Sequence, residues 1–405
     1  MIAKEESMDD IHIGIAAPID ISYLLGFLTL DSDIDILQGM GGTAPTAITL
    51  ELLKRGRKVS VFSLDPNIET DQVLNGENLT IYLGKFRKRG RDRTRDGFRA
   101  ERKFITRAIK EASPDIVNAH WTYEYALGSL SANVPVLVTA RDAPLRILKF
   151  NLSVHWVIKF LMACIAIHKT TYMTAVSPYI AEHLRKHFFF TKNIQIIPNG
   201  IDDNVLKNGI NNAKENNKKV IFVSAANGWS KHKNEKKLLT AFTFVHKSYP
   251  FTELWMYGKG HESGGMADNW ARENQVSNGV RFFGTTPHQI FLEQLSSSAD
   301  VLIHPSLEES FGNIFVEAMS VGVPVIGGKF SGAVPSTLGY GKAGLLVDVE
   351  SEYEMAEAMK KLIEDKTYRE KLGADGKKYA FQNYRISKIV DQYEQEYSRV
   401  LRECR

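Results

Sequence analysis

The sequence predicts an α/β chain of two domains, each a parallel sheet covered by helices. Three observations carry this expectation. The clearest is a compact unit near the C-terminal third. Val301–His304 is a short apolar run behind Asp300 and reads as a buried strand; 306–310 is a polar loop. Residues 311–320 have helical spacing, with Phe311, Ile314, Phe315 and Ala318 on one stripe, and Gly322 and Pro324 stop the helix. Residues 323–326 form the next buried strand, and a strand pair joined by a helix is parallel. The second observation is that short apolar runs alternate with helical spacing along most of the chain. The third is the tract 203–219, polar, rich in Asn and Lys and without apolar periodicity, which reads as an interdomain linker.

Size and composition agree. A chain of 405 residues suits two or three domains with ample core, and 43% hydrophobic against 24% charged residues is a globular balance. The net charge of +4 is too small to point to a partner by itself. Two cysteines, Cys164 and Cys404, give no disulfide framework, which favours a reducing cytoplasm. The N-terminal residues MIAKEESMDD lack the apolar core of a secretory signal. No run reaches the roughly 18 apolar residues of a spanning helix. The nearest, 147–167, is broken by Lys149, His155 and Lys159 and reads as a buried helix, with interfacial membrane contact as the alternative.

Taken in order, residues 11–16 (IHIGIA) are the first strand. Two D-x-D triplets follow, built from Asp31, Asp33 and Asp35. Such a triplet can hold a divalent ion on a diphosphate, but nothing else supports that metal-dependent architecture, and an acidic solvated loop is the expectation. Gly39-Met40-Gly41-Gly42-Thr43 then leads into a helix over 44–55 and a strand over 58–64. A glycine-rich turn entering a helix brings backbone amides to a phosphate or sugar.

Residues 85–103 are strongly basic: ten Lys or Arg against Asp92, Asp96 and Glu101, with Phe86 and Phe98 interleaved. We expect a solvated loop and helix start, with contact to anionic lipid headgroups as the functional alternative. Nucleic acid is not expected, because no recognition motif accompanies the charge. A strand over 114–121 ends at His120-Trp121, and another over 134–139 ends at Ala140-Arg141-Asp142. Further elements are residues 174–177, a helix over 178–187 and the segment 194–202 (IQIIPNGID).

The second half opens with a strand over 220–223 and the loop 225–234, which carries Lys231 and Lys233, before a helix over 235–249. Strands over 253–257 and 280–283 end at Gly258 and Gly284, which would line a nucleotide pocket. Helices cover 351–364 and 367–381, and 384–405 is amphipathic. Two carboxylates frame the central helix: Glu309 in the loop and Glu317 eight positions on. Gly312 permits close backbone approach, and the first helix amides present a positive dipole end. Carboxylates accept hydrogen bonds only, which suits sugar and ribose hydroxyls.

The run E-S-F-G-N-I-F-V-E followed by AMSVGVPVI resembles the E-x7-E motif of the retaining GT-B glycosyltransferases of family 4. The resemblance implies two Rossmann-like domains facing a cleft: 1–203, binding acceptor; 204–383, binding the sugar nucleotide; and a helix, 384–405, crossing back to the first. It implies Glu309 on the donor sugar, Glu317 on the ribose, and Ser310, Phe311, Gly312 and Asn313 around sugar and phosphate. Gly41 and Gly42 sit where family members cover the donor diphosphate. His120 matches a histidine near the donor sugar. Lys233 matches a lysine that neutralises the diphosphate, while the arginine that accompanies it falls at Gly228; Lys231 or Arg141 is the stand-in. Arg141 stands where the family commonly has His, so Arg141 and Asp142 become candidates for an acidic acceptor or phosphate group. IPNGID at 197–202 is similar to the segment closing the first domain. The expected activity is transfer of a sugar, with retained configuration and without a metal or cofactor, to a glycan or lipid-linked acceptor in surface polysaccharide, lipopolysaccharide or capsule assembly. The expected location is the cytoplasm, peripherally on the membrane. A sugar-nucleotide epimerase, a phosphorylase or a non-catalytic partner on the same fold are the rival expectations.

Overall fold

The computed structural model describes residues 8–29, 39–208 and 219–405. Asp31, Asp33 and Asp35, and 209–218 of the expected linker, lie outside the described residues. The chain divides into two compact units: one runs to Gly200 and takes in Ile386–Arg405, the other is Ile201–Arg385.

The first unit is built on a sheet of eight described strands: β1 (His12–Ala16), β2 (Lys58–Asp65), β3 (Gln72–Asn75), β4 (Leu79–Lys85), β5 (Ile116–His120), β6 (Val136–Ala140), β7 (Tyr172–Ala175) and β8 (Ile194–Ile196). Their order is β3-β4-β2-β1-β5-β6-β7-β8, parallel throughout except that β3 runs against β4. Ile13 of β1 lies opposite Val59 and Ile116. Strands buried on both faces read as continuous apolar runs, which is why β1, β5 and β6 were legible. The chain winds one way from β1 to β2 and the other way to β5, so the switch point lies between β1 and β5, and ligands bind at the carboxyl ends there.

Three expectations need correction, two in this unit and one at the start of the second. The basic tract 85–103 is solvated and holds a helix start as expected, but it is more ordered than a loop. It holds the end of β4 and the helices Gly90–Arg95 and Arg99–Ala112. Arg87 turns inward and pairs with Glu101, whose carboxylate is fully buried, and with Asp96. The guanidinium of Arg93 lies over the ring of Phe86, so the interleaved aromatics pack within the protein. The apolar run 147–167 is two helices, Pro144–Phe150 and Val154–Lys169, separated at Ser153, whose hydroxyl caps the second by accepting from the Trp156 amide. The second helix is not buried all round: Val154, Val157, Leu161 and Ile165 are exposed. The start of the expected linker is helical, Asp203–Asn208.

The second unit carries a parallel sheet of six strands, β9 (Val220–Ala225), β10 (Thr252–Tyr257), β11 (Val280–Gly284), β12 (Val301–His304), β13 (Val325–Gly328) and β14 (Leu345–Val347), in the order β11-β10-β9-β12-β13-β14. Its switch point lies between β9 and β12, where Phe222 faces Val301. The helix Ile386–Cys404 belongs to the first unit. It buries Ile386, Ile389, Val390, Tyr393, Tyr397 and Val400, one stripe at helical spacing. Gly200 lets it close: a β-carbon there would stand 2.9 Å from the Ile386 backbone. Arg55 and Arg57 anchor it through Glu394. Among the described residues no helix is long and apolar enough to cross a membrane.

Candidate active site

In the second unit, the loops after β9 and β12 meet at the switch point. β9 leads through Gly228 to a short 3-10 helix, Lys231–Lys233, and β12 ends at His304. The Leu307 amide donates to the His232 carbonyl at 2.8 Å, tying the two loops together. The Ala333 amide holds the Glu309 carbonyl at the same distance. So placed, the Glu309 carboxylate accepts from Lys233 Nζ at 2.7 Å and from His304 Nε2 at 2.9 Å. Burial pushes the carboxyl's pKa up, but the Lys233 charge and the His304 hydrogen bond outweigh it and hold it far below the ordinary carboxylate range. His232, buried beside Lys233, is pushed down and stays neutral near pH 7. The result is a preorganised cation and anion, each side chain 16% exposed, at the carboxyl edge of the sheet.

The helix after this loop is Asn313–Ser320, two residues shorter at its start than the spacing predicts. Gly312 caps it at φ 82°, and a β-carbon there would meet Phe315 at 2.7 Å, so glycine is required twice over. No side chain caps this N-terminus. Phe311 is buried with its ring 5.3 Å from that of Tyr384, so what this position offers a ligand is backbone; Ser310 and Asn313 beside it are half-buried. Glu317 lies in the second turn and its carboxylate is 3.2 Å from His288 Nε2; this hydrogen bond raises the His288 pKa. Lys231 is exposed. Gly258 and Gly284, expected to line a nucleotide pocket, hold their loops together through backbone hydrogen bonds. The Gly258 amide donates to the Gly284 carbonyl, and the Gly284 amide to the His261 carbonyl, so these glycines clamp neighbouring loops. A β-carbon on Gly258 would lie 1.9 Å from the Ala226 oxygen. At Gly228 φ is 100° and the space around a β-carbon is open.

In the first unit, β5 and β6 bring His120 and Arg141 together. Arg141 Nε donates to His120 Nδ1 at 2.9 Å and Nη1 donates to Asn199 Oδ1 at 2.6 Å. Burial, then the Arg141 charge, hold the His120 pKa well below its usual value. Burial raises Asp142 to about 6, against the hydrogen bond from Tyr123 and the charge of Lys159. Gly41 and Gly42 lie at positive φ before the uncapped helix Thr43–Lys54; a β-carbon on Gly42 would lie 2.2 Å from the Pro18 oxygen. Under the site, Tyr397 Oη donates to Asn118 Oδ1 in β5.

Sequence reasoning missed His304, Asn199 and His288. His304 had a signal, since it ends β12 as His120 ends β5. The other two are joined to the site only by folding. Among the described residues no group of three His, Cys, Asp or Glu is placed to hold a metal ion.

Comparison with known proteins agrees with this geometry. Residues 206–379 match the family model "Glycosyl transferases group 1", and residues 43–205 match "Glycosyltransferase Family 4". The chain is 25% identical over 302 residues to N-acetyl-alpha-D-glucosaminyl L-malate synthase of Bacillus anthracis, covering 71% of this chain and 76% of that protein. It is 32% identical over 154 residues to D-inositol 3-phosphate glycosyltransferase of Corynebacterium kroppenstedtii, 36% of this chain and 34% of that one. A capsular polysaccharide biosynthesis glycosyltransferase of Staphylococcus aureus is 28% identical over 138 residues, 32% and 36% of the two chains. Among solved structures, sucrose-phosphate synthase of Thermosynechococcus elongatus superposes with a TM-score of 0.73 at 17% identity, over 97% of this chain and all of that one, which shows the shared fold. With one model matching each half, residues 43–379 are accounted for, and the chain belongs to the family 4 glycosyltransferases, enzymes built on the GT-B fold.

Proposed function

We propose that this glycosyltransferase moves a sugar from a nucleoside diphosphate donor, with retained anomeric configuration, to a glycan or lipid-linked acceptor in surface polysaccharide assembly. The observation that carries the donor reading is the Lys233–Glu309–His304 cluster beside the uncapped helix Asn313–Ser320. As the glycosidic bond breaks, charge grows on the leaving diphosphate, and Lys233 with the helix amides stabilises it. Glu309 orients the sugar hydroxyls and Glu317 the ribose. The leaving phosphate takes the acceptor proton, so no metal is needed. The relatives named above, for L-malate, for inositol 3-phosphate and for capsular polysaccharide, support an acceptor rich in hydroxyl and acidic groups.

The test is thermal stabilisation by UDP-, GDP-, ADP- and CMP-sugars, with Glu317→Ala as control. A ligand at 100 times its dissociation constant adds about 2.7 kcal/mol. We expect one nucleotide class to stabilise the chain, less so in the variant, and the product's anomeric proton to keep the donor's configuration. No response to any donor, together with no release of nucleotide, rejects the reading.

We place the enzyme at an anionic membrane surface. The solvent side of the helix Val154–Lys169 is apolar, with Val154, Val157, Leu161 and Ile165 exposed. An apolar face of this kind needs a cover. Thr94 Oγ1 bonds His155 Nδ1 and so fixes the basic helix Gly90–Arg95, with Arg91 and Arg95 exposed, along one flank. Phe188, 5.8 Å from Phe160, brings exposed Phe189 and the basic end of the helix Pro178–Phe188 to the other. An apolar stripe between two cationic flanks complements an anionic bilayer.

A further inference from the structure

The first unit contains a buried cation with no counter-ion. Arg141 is 7% exposed. Its Nε and Nη1 are spent on two neutral acceptors, His120 Nδ1 and Asn199 Oδ1, and Nη2 has no hydrogen-bond partner. Tyr393 and Tyr397 are the groups whose fields favour its charge, and both are phenols. The carboxylate nearest in sequence, Asp142, accepts from Tyr123, its Oδ1 is buried without a partner, and it makes no ion pair with Arg141. Among the described residues no carboxylate pairs with Arg141.

His120 sharpens the point. Because Arg141 donates to Nδ1, the ring proton sits on Nε2, and that N–H is buried without an acceptor. Two adjoining side chains therefore hold unanswered donors, one with a fixed positive charge. A guanidinium stripped of water without an anion is costly, and the Trp121 ring, 5.6 Å from Cζ, offsets only part of that cost, so a negative oxygen supplied from outside is favoured here. The place is right for a ligand: both residues end strands at the carboxyl edge, β5 at the topological switch and β6 next to it.

We propose that Arg141, oriented by His120 and Asn199, binds an anionic oxygen of the acceptor, a carboxylate or a phosphate. This rests on glycosyl transfer as the activity and adds the chemical class of the second substrate. Arginine suits the task better than histidine would. Its charge does not titrate, and with Nε and Nη1 fixing the plane, Nη2 approaches an oxyanion in a defined direction. His120 Nε2–H supplies a second donor to the same group or to the hydroxyl beside it.

The experiment is hydrogen exchange on the full chain, read by mass spectrometry, with inorganic phosphate and with succinate titrated against chloride at constant ionic strength. Peptides spanning 116–124 and 136–144 should exchange about tenfold more slowly at ten times the dissociation constant. Arg141→Gln should abolish that slowing, and Arg141→Lys, which keeps charge without the fork, should retain part of it. Protection by phosphate alone assigns a phosphorylated acceptor, by succinate alone a carboxylate. Phosphate can also protect 309–316 through Lys233, and that response should survive in Arg141→Gln. Protection confined to 309–316, or absent everywhere, overturns the proposal whatever the variants do. Because no donor is present, the result is independent of whether a sugar nucleotide stabilises the chain.

Discussion

Lys233 and Glu309 are 76 positions apart in the chain and share one hydrogen bond. Breaking that pair leaves a buried carboxylate held only by His304. Lys233→Ala should therefore cost about 2–4 kcal/mol of stability near neutral pH and slow turnover at least about a hundredfold. The pH dependence follows from the direction of the Glu309 shift. A carboxyl depressed in the folded state adds stability above its unfolded value, near 4.3, and loses it as pH falls toward the folded value. The gap in unfolding midpoint between wild type and variant should thus be widest at neutral pH and narrow below about 4; a gap constant with pH refutes the pairing. Glu309 and Lys233 were legible because their neighbours in sequence, SFGN and the strand-loop after Val223, carry a pattern. His304 was passed over although it ends its strand as His120 does, because a histidine inside VLIHP reads equally well as a buried strand residue.

The helix Val154–Lys169 shows what periodicity settles and what it leaves open. Apolar residues on every side of a helix read as burial. Here Met162, Ala163, Ala166 and Ile167 satisfy the core while Leu161 and Ile165 are about half exposed, at 50% and 48%. Replacing the latter two by Glu removes apolar area from the bilayer contact and adds repulsion from anionic headgroups. Flotation with phosphatidylcholine vesicles containing phosphatidylglycerol should fall at least about tenfold in the double variant, and wild-type binding should weaken with salt. Equal binding to vesicles without phosphatidylglycerol, or a concentration-dependent dimer dissolved by the same substitutions, contradicts a membrane partner. The neighbouring tract 85–103 was read only in part: it is solvated and starts a helix, but its short helix Gly90–Arg95 and its buried pairing were not foreseen. Its run of like charges looks solvated, and the sequence does not announce that Arg87 would close on Glu101 beneath the surface. β4, by contrast, alternates Leu79, Ile81 and Leu83, a half-buried pattern that the adjacent charge run obscured.

For the whole molecule, the two α/β units follow from the succession of apolar runs and helices, while the strand orders that set the switch points do not; the expected boundary was 203 and the chain divides after Gly200. The helix Ile386–Cys404 showed its amphipathic stripe in the periodicity, while its target, the first unit, came only from the family resemblance, since the surface it covers lies in residues made far earlier. Tyr397 shows the coupling: its hydroxyl bonds Asn118, two residues before His120. Tyr397→Phe leaves the Asn118 oxygen without that donor and should destabilise the first unit by about 1–3 kcal/mol. In calorimetry one domain transition should move down and the other stay; equal movement of both contradicts the assignment. The membership of this helix also orders events during synthesis. Ile201–Arg385 is one continuous stretch, whereas the half synthesised before it must wait, with the groove for Ile389, Tyr393 and Tyr397 open, until the returning helix has been made. The leading unit therefore cannot complete its core while it is still the only part made, and the interval in which that groove is bare is when a chaperone has something to hold.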